Sequence, residues 1–94
     1  MNVKKVENMT SSRGNKVPNQ FIITTDSAEY FQSYQTMISV KQYVKEGVSI
    51  FLDADKWNYS NTTARYRNKF LGLNTKEIKA KIEAGEIKLI NLND

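Results

Sequence analysis

The clearest structural pattern of the chain lies in Trp57-Asn58-Tyr59-Ser60-Asn61-Thr62-Thr63-Ala64-Arg65-Tyr66-Arg67-Asn68-Lys69-Phe70-Leu71-Gly72. At about 100° per residue, one narrow arc of a helix collects Tyr59, Thr63, Tyr66 and Phe70, with Leu73 at its edge. This arc predicts a helix that faces the core. Ser60 is a suitable N-cap, because its hydroxyl can accept a hydrogen bond from the first turn, and Gly72 is a suitable end.

A second helix is predicted directly after this stretch. Asn74 with Glu77 three residues later resembles a capping box in which asparagine replaces serine or threonine. Ile78 and Ile82 are spaced to face the core, and Gly85 is expected to end the helix. The apolar residues of 86–92 then predict a closing strand, added to the sheet.

The chain before this stretch has the β-branched and aromatic segments of a sheet. Turn-forming residues separate them, among them the polar loop 10–16 with its basic tip and the turn 45–47. The strand segments are 3–9, 21–25, 30–34, 36–40 and 48–52. We therefore predict one α+β domain over residues 1–94: an antiparallel β-meander of about five strands, packed by two C-terminal helices on one face, with a final edge strand.

The composition excludes several kinds of active site. The 94 residues include no cysteine and no histidine, which removes disulfides, thiolate zinc sites, cysteine nucleophiles and histidine bases. The four glycines do not fall at phosphate-loop spacings. Asp53-Ala54-Asp55 lacks the glycine and glutamate of a calcium loop. We predict a protein that is not an enzyme, with no catalytic residues, cofactor or metal site.

No segment of the sequence predicts a link to a membrane or to export. No apolar run approaches the length of a membrane span, and the polar N-terminal residues do not resemble a signal peptide. The expectation is a cytoplasmic protein without a membrane partner.

Positive charge is concentrated in the helical half. Residues 56–81 contain seven basic residues and one acidic residue, whereas the remainder contains seven basic and nine acidic residues. Such a face suits the phosphate backbone of a nucleic acid. The predicted contacts are Trp57, which could stack on a base, and five cations: Arg65, Arg67, Lys69, Lys76 and Lys79. The alternative is a solvated helix surface, with Trp57 and the tyrosines packed in the core.

Two blocks of the sequence resemble a group of small proteins from phages and related mobile elements. The first is Ser33-Tyr34-Gln35-Thr36-Met37-Ile38, which matches the pattern Ser-Tyr-x-Thr-x-Ile. The second is Trp57-Asn58-Tyr59-Ser60-Asn61-Thr62-Thr63, which matches Trp-x-Tyr-Ser-x-Thr-Thr and leads into a helix ending Phe70-Leu71. The resemblance covers about 21–92 and implies an accessory protein that acts inside a bacterial host cell.

Three functions remain open at this point. The first is a nucleic-acid-binding module that uses the basic helical face. The second is an inhibitor of a host or defence protein, of the anti-restriction or anti-CRISPR type, which could bind through an edge strand. The third is an enzyme that depends on lysine or a carboxylate, which the absence of histidine disfavours.

Overall fold

The six strands lie side by side in the order in which the chain forms them. A computed structural model describes residues 2–93 of the protein. The elements are β1 (Val3–Thr10), β2 (Lys16–Thr25), β3 (Ala28–Ser33), β4 (Thr36–Val44), β5 (Gly47–Asp53), α1 (Asn61–Leu71), α2 (Thr75–Glu83) and β6 (Ile87–Ile90). The sheet order is β1-β2-β3-β4-β5-β6, so β1 and β6 form its edges. This confirms the predicted α+β meander with two helices after it and a short final strand.

The direction of the last strand differs from the rest of the sheet. Neighbours from β1 to β5 pair antiparallel, whereas β6 pairs parallel to β5. The two helices between β5 and β6 cause this difference, because a crossover of that length returns the chain to the end of the sheet from which β5 began.

Strand β2 is longer than the sequence predicts and contains Pro18. Its register with β1 breaks between the pairs Asn8–Phe21 and Thr10–Lys16, which leaves residues 17–20 as a bulge. A proline is tolerated there because it need not donate to a regular ladder. Asn8 fastens the bulge by donating its side-chain N–H to the Val17 carbonyl at 3.0 Å.

Both helices pack on the same face of the sheet. Paired residues across a sheet share a face, and the row Ile22–Phe31–Ser39–Leu52 lies beneath the helices. Phe70 of α1 stacks on Phe31, with ring centroids 5.9 Å apart, and joins a cluster that also contains Met9 and Ile38. The second cluster joins α2 to the sheet through Leu52, Ile78 and Ile87.

The helix ends agree with the predicted caps. The Ser60 hydroxyl accepts the Thr63 N–H at 3.1 Å, and Gly72 has a left-handed φ of 69°. Asn74 and Glu77 form the reciprocal capping box, at 2.8 and 2.9 Å. Tyr59 is the exception to the predicted stripe: it is 47% exposed, because it precedes the N-cap and so lies outside the helix.

None of the helices within residues 2–93 combines the length and the apolar character that crossing a membrane requires.

Candidate nucleic-acid interface

The structure divides the predicted contact residues among three places. Arg65 and Lys69 are exposed on the flank of α1 beside the β1–β2 loop, and Lys76 and Lys79 are exposed on α2. The remaining two, Arg67 and Trp57, belong to the interior packing.

Arg67 is fully buried, so the prediction that it contacts phosphate is wrong. Its five N–H donors are all used inside the protein. Nη1 donates to the Trp57 carbonyl at 2.7 Å and to Asn58 Oδ1 at 3.1 Å. Nη2 donates to Thr75 Oγ1 and Asn68 Oδ1, both at 2.9 Å, and Nε donates to Asn68 Oδ1 at 3.2 Å.

Burial lowers the pKa of Arg67, because the low-dielectric interior disfavours the charged form. The guanidinium remains charged at neutral pH, because arginine does not lose its proton inside proteins. None of the salt bridges within residues 2–93 includes Arg67, so neutral groups rather than carboxylates stabilise its charge.

Trp57 lies against Arg67 and packs with the second core cluster. The guanidinium carbon is 5.1 Å from the indole centroid, within the range of a cation–π contact. The ring is half-buried and packs against the cluster of Leu52, Ile78 and Ile87. This geometry favours the core-packing alternative for Trp57 over base stacking.

Arg65 and Lys69 form a surface with the β1–β2 loop. Thr10, Ser11, Ser12, Arg65, Tyr66 and Lys69 line a pocket of about 280 Å³, which we call the loop–helix pocket. The Lys69 ammonium donates to the Thr10 carbonyl and lies 3.4 Å from the Thr10 hydroxyl oxygen. Burial of Met9 in the same cluster as Phe70 holds the end of β1 beside α1, which brings the loop to the helix.

The chemistry of the loop–helix pocket suits an anion. Its lining residues carry two cations and four hydroxyl groups and no carboxylate. Neither Arg65 nor Lys69 makes a salt bridge within residues 2–93. Hydroxyls and cations together are the usual protein donors to phosphate oxygens.

Two carboxylates lie in the adjoining pocket, which Lys69 also lines. Each already has a cation of its own. Glu7 pairs with Lys5 at 3.4 Å, and Glu29 pairs with Lys41 at 3.7 Å. Lys69 is therefore not paired with either carboxylate, and its ammonium group faces the loop–helix pocket and solvent.

The cations of α2 belong to a different part of the molecule. Helix α2 contacts β6 at one edge of the sheet, whereas Arg65 and Lys69 lie beside the end of β1 at the other edge. Lys81 is paired with Glu86 at 3.5 Å. The single basic face predicted from the sequence is therefore two separate surfaces.

The sequence predicted the basic loop and the charged helix flank separately but did not indicate that they meet. Ser11 and Ser12, which line the pocket, are therefore absent from the contacts predicted from the sequence. Their signal is the hydroxyl-rich stretch ahead of Arg13, and only the packing of Met9 against Phe70 shows which helix it faces.

Asp53 has a structural role at the end of β5. It accepts backbone N–H groups from Lys56 and Leu92, each at 2.9 Å. Burial alone would raise the pKa of Asp53, but the hydrogen bonds from Leu92 and Lys56 outweigh it, and the pKa is lowered. The carboxylate that begins the Asp53-Ala54-Asp55 motif thus fastens the C-terminal segment to the sheet.

Comparison with known proteins identifies the family. No curated protein and no solved structure matches the chain at a significant level. Residues 4–86, which cover the elements from β1 to α2 apart from Val3, match the model described as a family of unknown function, DUF8033. The chain belongs to that family.

Proposed function

We propose that this protein is a non-catalytic accessory protein, of the kind found in phages, that binds nucleic acid through phosphate contacts at the loop–helix pocket. The observation that carries the proposal is the lining of that pocket: Arg65 and Lys69 stand among hydroxyl groups without a carboxylate. Because the two cations are one helical turn apart, they repel each other by a few tenths of a kcal/mol, and an anion between them would offset that repulsion.

The size of the site sets the expected mode of binding. Two phosphate contacts contribute a slope of about −1.4 to −1.8 in log K against log salt concentration. Contacts to phosphate position a nucleic acid but do not read its bases. We therefore expect weak, salt-sensitive binding with little sequence preference, with dissociation constants of roughly 10⁻⁴ to 10⁻⁶ M.

The test compares two double variants by fluorescence anisotropy with labelled DNA and RNA oligonucleotides of mixed sequence. Arg65→Glu/Lys69→Glu should weaken binding at least about tenfold at low salt, because it reverses both phosphate contacts. Lys76→Glu/Lys79→Glu is the matched control, since it makes the same change in net charge on α2. Equal loss in the two variants would show that only net charge matters and would refute the pocket.

Inhibition of a host or defence protein is the second candidate. Edge strand β1 supports it, because Val3 and Val6 are 52% and 59% exposed and one side of the strand is open to another chain. Lys4, Lys5 and Glu7 on the same strand count against it, since charged residues protect an edge from pairing. Capture of one specific protein from bacterial lysate, retained after nuclease treatment and reduced by Val3→Pro, would support this candidate.

A further inference from the structure

The sheet face opposite the helices is apolar from β1 to β5. Residues paired across neighbouring strands share a face, and the pairing runs Val6–Ile23, Ile23–Tyr30, Tyr30–Val40 and Val40–Phe51. This row alternates with the row beneath the helices and therefore points away from them. We call the surface formed by Val6, Ile23, Tyr30, Val40 and Phe51 the open face.

The open face is separate from the core of the protein. None of its five residues belongs to either core cluster or to the side chains that pack against those clusters. Val40 in the middle of the row is nevertheless only 6% exposed, and Val6 at its end is 59% exposed. The large side chains on either side of Val40 thus shield it from solvent. No other element within residues 2–93 packs on the row.

Neutral residues continue the open face on both sides of this row. Phe21, Gln32 and Met37 are paired across β2, β3 and β4 on one side, and Ala28, Gln42 and Ser49 are paired across β3, β4 and β5 on the other. Lys88 of β6, which is paired with Phe51, is an exposed cation at the rim of this face. The rows named above on β1 to β5 carry no charge, which does not suit a nucleic acid and fits another apolar sheet.

We propose that two copies of this chain pack open face against open face, as two sheets in a sandwich. A two-fold interface requires a surface that is complementary to itself, and the uncharged apolar rows of β1 to β5 meet that requirement, with Lys88 left at the rim. Sheets that pack in this way lie about 10 Å apart and interdigitate their inner side chains.

The area of the open face sets the strength of this association. Five strands at about 4.8 Å spacing and about five residues at about 3.4 Å per residue cover roughly 400 Å² per copy. A standard interface buries about 800 Å² per partner. The open face therefore supports a reversible dimer that dissociates on dilution.

The proposal is independent of nucleic-acid binding. The loop–helix pocket lies on the side of the sheet that carries α1, so both pockets of the dimer stay accessible. Loss of nucleic-acid binding would leave the dimer in place, and loss of the dimer would leave each pocket intact.

Analytical ultracentrifugation from about 1 µM to about 500 µM tests the proposal, because a reversible dimer changes its sedimentation coefficient over such a range. Val6→Glu and Tyr30→Glu each place a charge on the open face and should shift the midpoint of dimerisation at least about tenfold towards higher concentration.

Val48→Glu is the matched control for Val6→Glu. Val48 is 51% exposed in β5, two residues before Ile50 and four before Leu52, so it shares their side of the sheet. The Val48→Glu variant should dimerise as the wild type does. Circular dichroism and a thermal melt show that each variant is folded.

Two results would overturn the proposal. The first is a wild-type protein that stays monomeric at the highest concentration. The same result is expected if the open face binds a different protein. The second is a dimer that folded Val6→Glu and Tyr30→Glu both retain, or that Val48→Glu weakens as much as they do.

Discussion

Arg67 joins three segments of the chain through one side chain. Its guanidinium donates hydrogen bonds to oxygens in the β5–α1 connection, in α1 itself and in Thr75, which lies in the first turn of α2. The relative positions of the two helices therefore depend on a cation that never reaches solvent. Trp57 against its face adds an aromatic contact to this hydrogen-bond network.

Replacing Arg67 by lysine should destabilise the fold even though it retains the charge. Lysine has three donors on one nitrogen and cannot reach four separate acceptors, so oxygens of Trp57, Asn58 and Asn68 would lose their hydrogen bonds to residue 67. We expect a loss of about 3 kcal/mol in the free energy of unfolding, measured by urea titration with Trp57 fluorescence.

Arg65→Lys is the matched control, because Arg65 is exposed on the same helix, and it should change stability by less than about 0.5 kcal/mol. A folded Arg67→Lys protein as stable as the wild type would show that the network contributes little.

The helical spacing of the sequence indicates that Arg67 is buried, but its charge argues against burial. Arg67 is four residues after Thr63 and three before Phe70, which are both buried, so helical spacing alone assigns it to the inward stripe. Arginine is seldom fully buried, and that preference favoured an outward position. Burial of Arg67 is explained only by the structure, in which neutral oxygens from residues 57 to 75 accept its hydrogen bonds.

Local sequence signals predict most of the helices and strands. The caps of α1 and α2 depend on residues three apart in sequence, so Ser60, Asn74 and Glu77 could be identified without a fold. The bulge in β2 and the parallel direction of β6 could not, because each depends on how a distant strand is paired.

The capping box of α2 has a measurable contribution. Helix α2 has nine residues, and a helix of that length forms only with help from its ends and its packing. Asn74→Ala removes the side-chain acceptor for the Glu77 N–H but keeps the backbone N–H that donates to Glu77, and it should cost about 1 kcal/mol of unfolding free energy by urea titration.

Asn74→Asp is the matched control, since a carboxylate accepts the same hydrogen bond and suits the positive end of the helix dipole. It should stay within about 0.5 kcal/mol of the wild type. Equal losses for alanine and aspartate would show that Asn74 acts in some way other than capping.

Contacts between residues far apart in the sequence position the loop–helix pocket and the C-terminal residues. Thr10 and Lys69 meet across 59 positions of sequence, which is why the loop–helix pocket could not be predicted. The end of the chain is held likewise: the Asn93 side chain accepts the Met37 N–H at 2.7 Å and donates to the Met37 carbonyl at 2.9 Å. Asp53 holds Leu92 beside this contact.

The lowered pKa of Asp53 predicts that acid reduces the free energy of unfolding. A carboxyl group with a lower pKa in the folded state stabilises the fold above its unfolded value of 3.8, and that contribution is lost as pH falls through the folded pKa. Asp53→Asn should cost about 1–3 kcal/mol at neutral pH, because it places an amide among N–H donors. Its unfolding free energy should then decline less than that of the wild type below pH 3.8.

Urea titrations over a series of pH values measure both effects, and Asp55→Asn is the control, because Asp55 is exposed two residues away. It should follow the wild-type pH profile. Parallel decline in Asp53→Asn and wild type would show that Asp53 does not set the acid response.

The match between strand order and chain order has a consequence for synthesis. As the ribosome releases this protein, each new strand from β2 to β5 finds its neighbour already outside the exit tunnel, so pairing needs no residue that has yet to be translated. Strand β6 is the last to emerge, and with it come the residues that tie the chain end to β5 and β4. The nascent sheet can thus assemble strand by strand, whereas the contacts of residues 87–93 with β5 and β4 form only after those residues have left the exit tunnel.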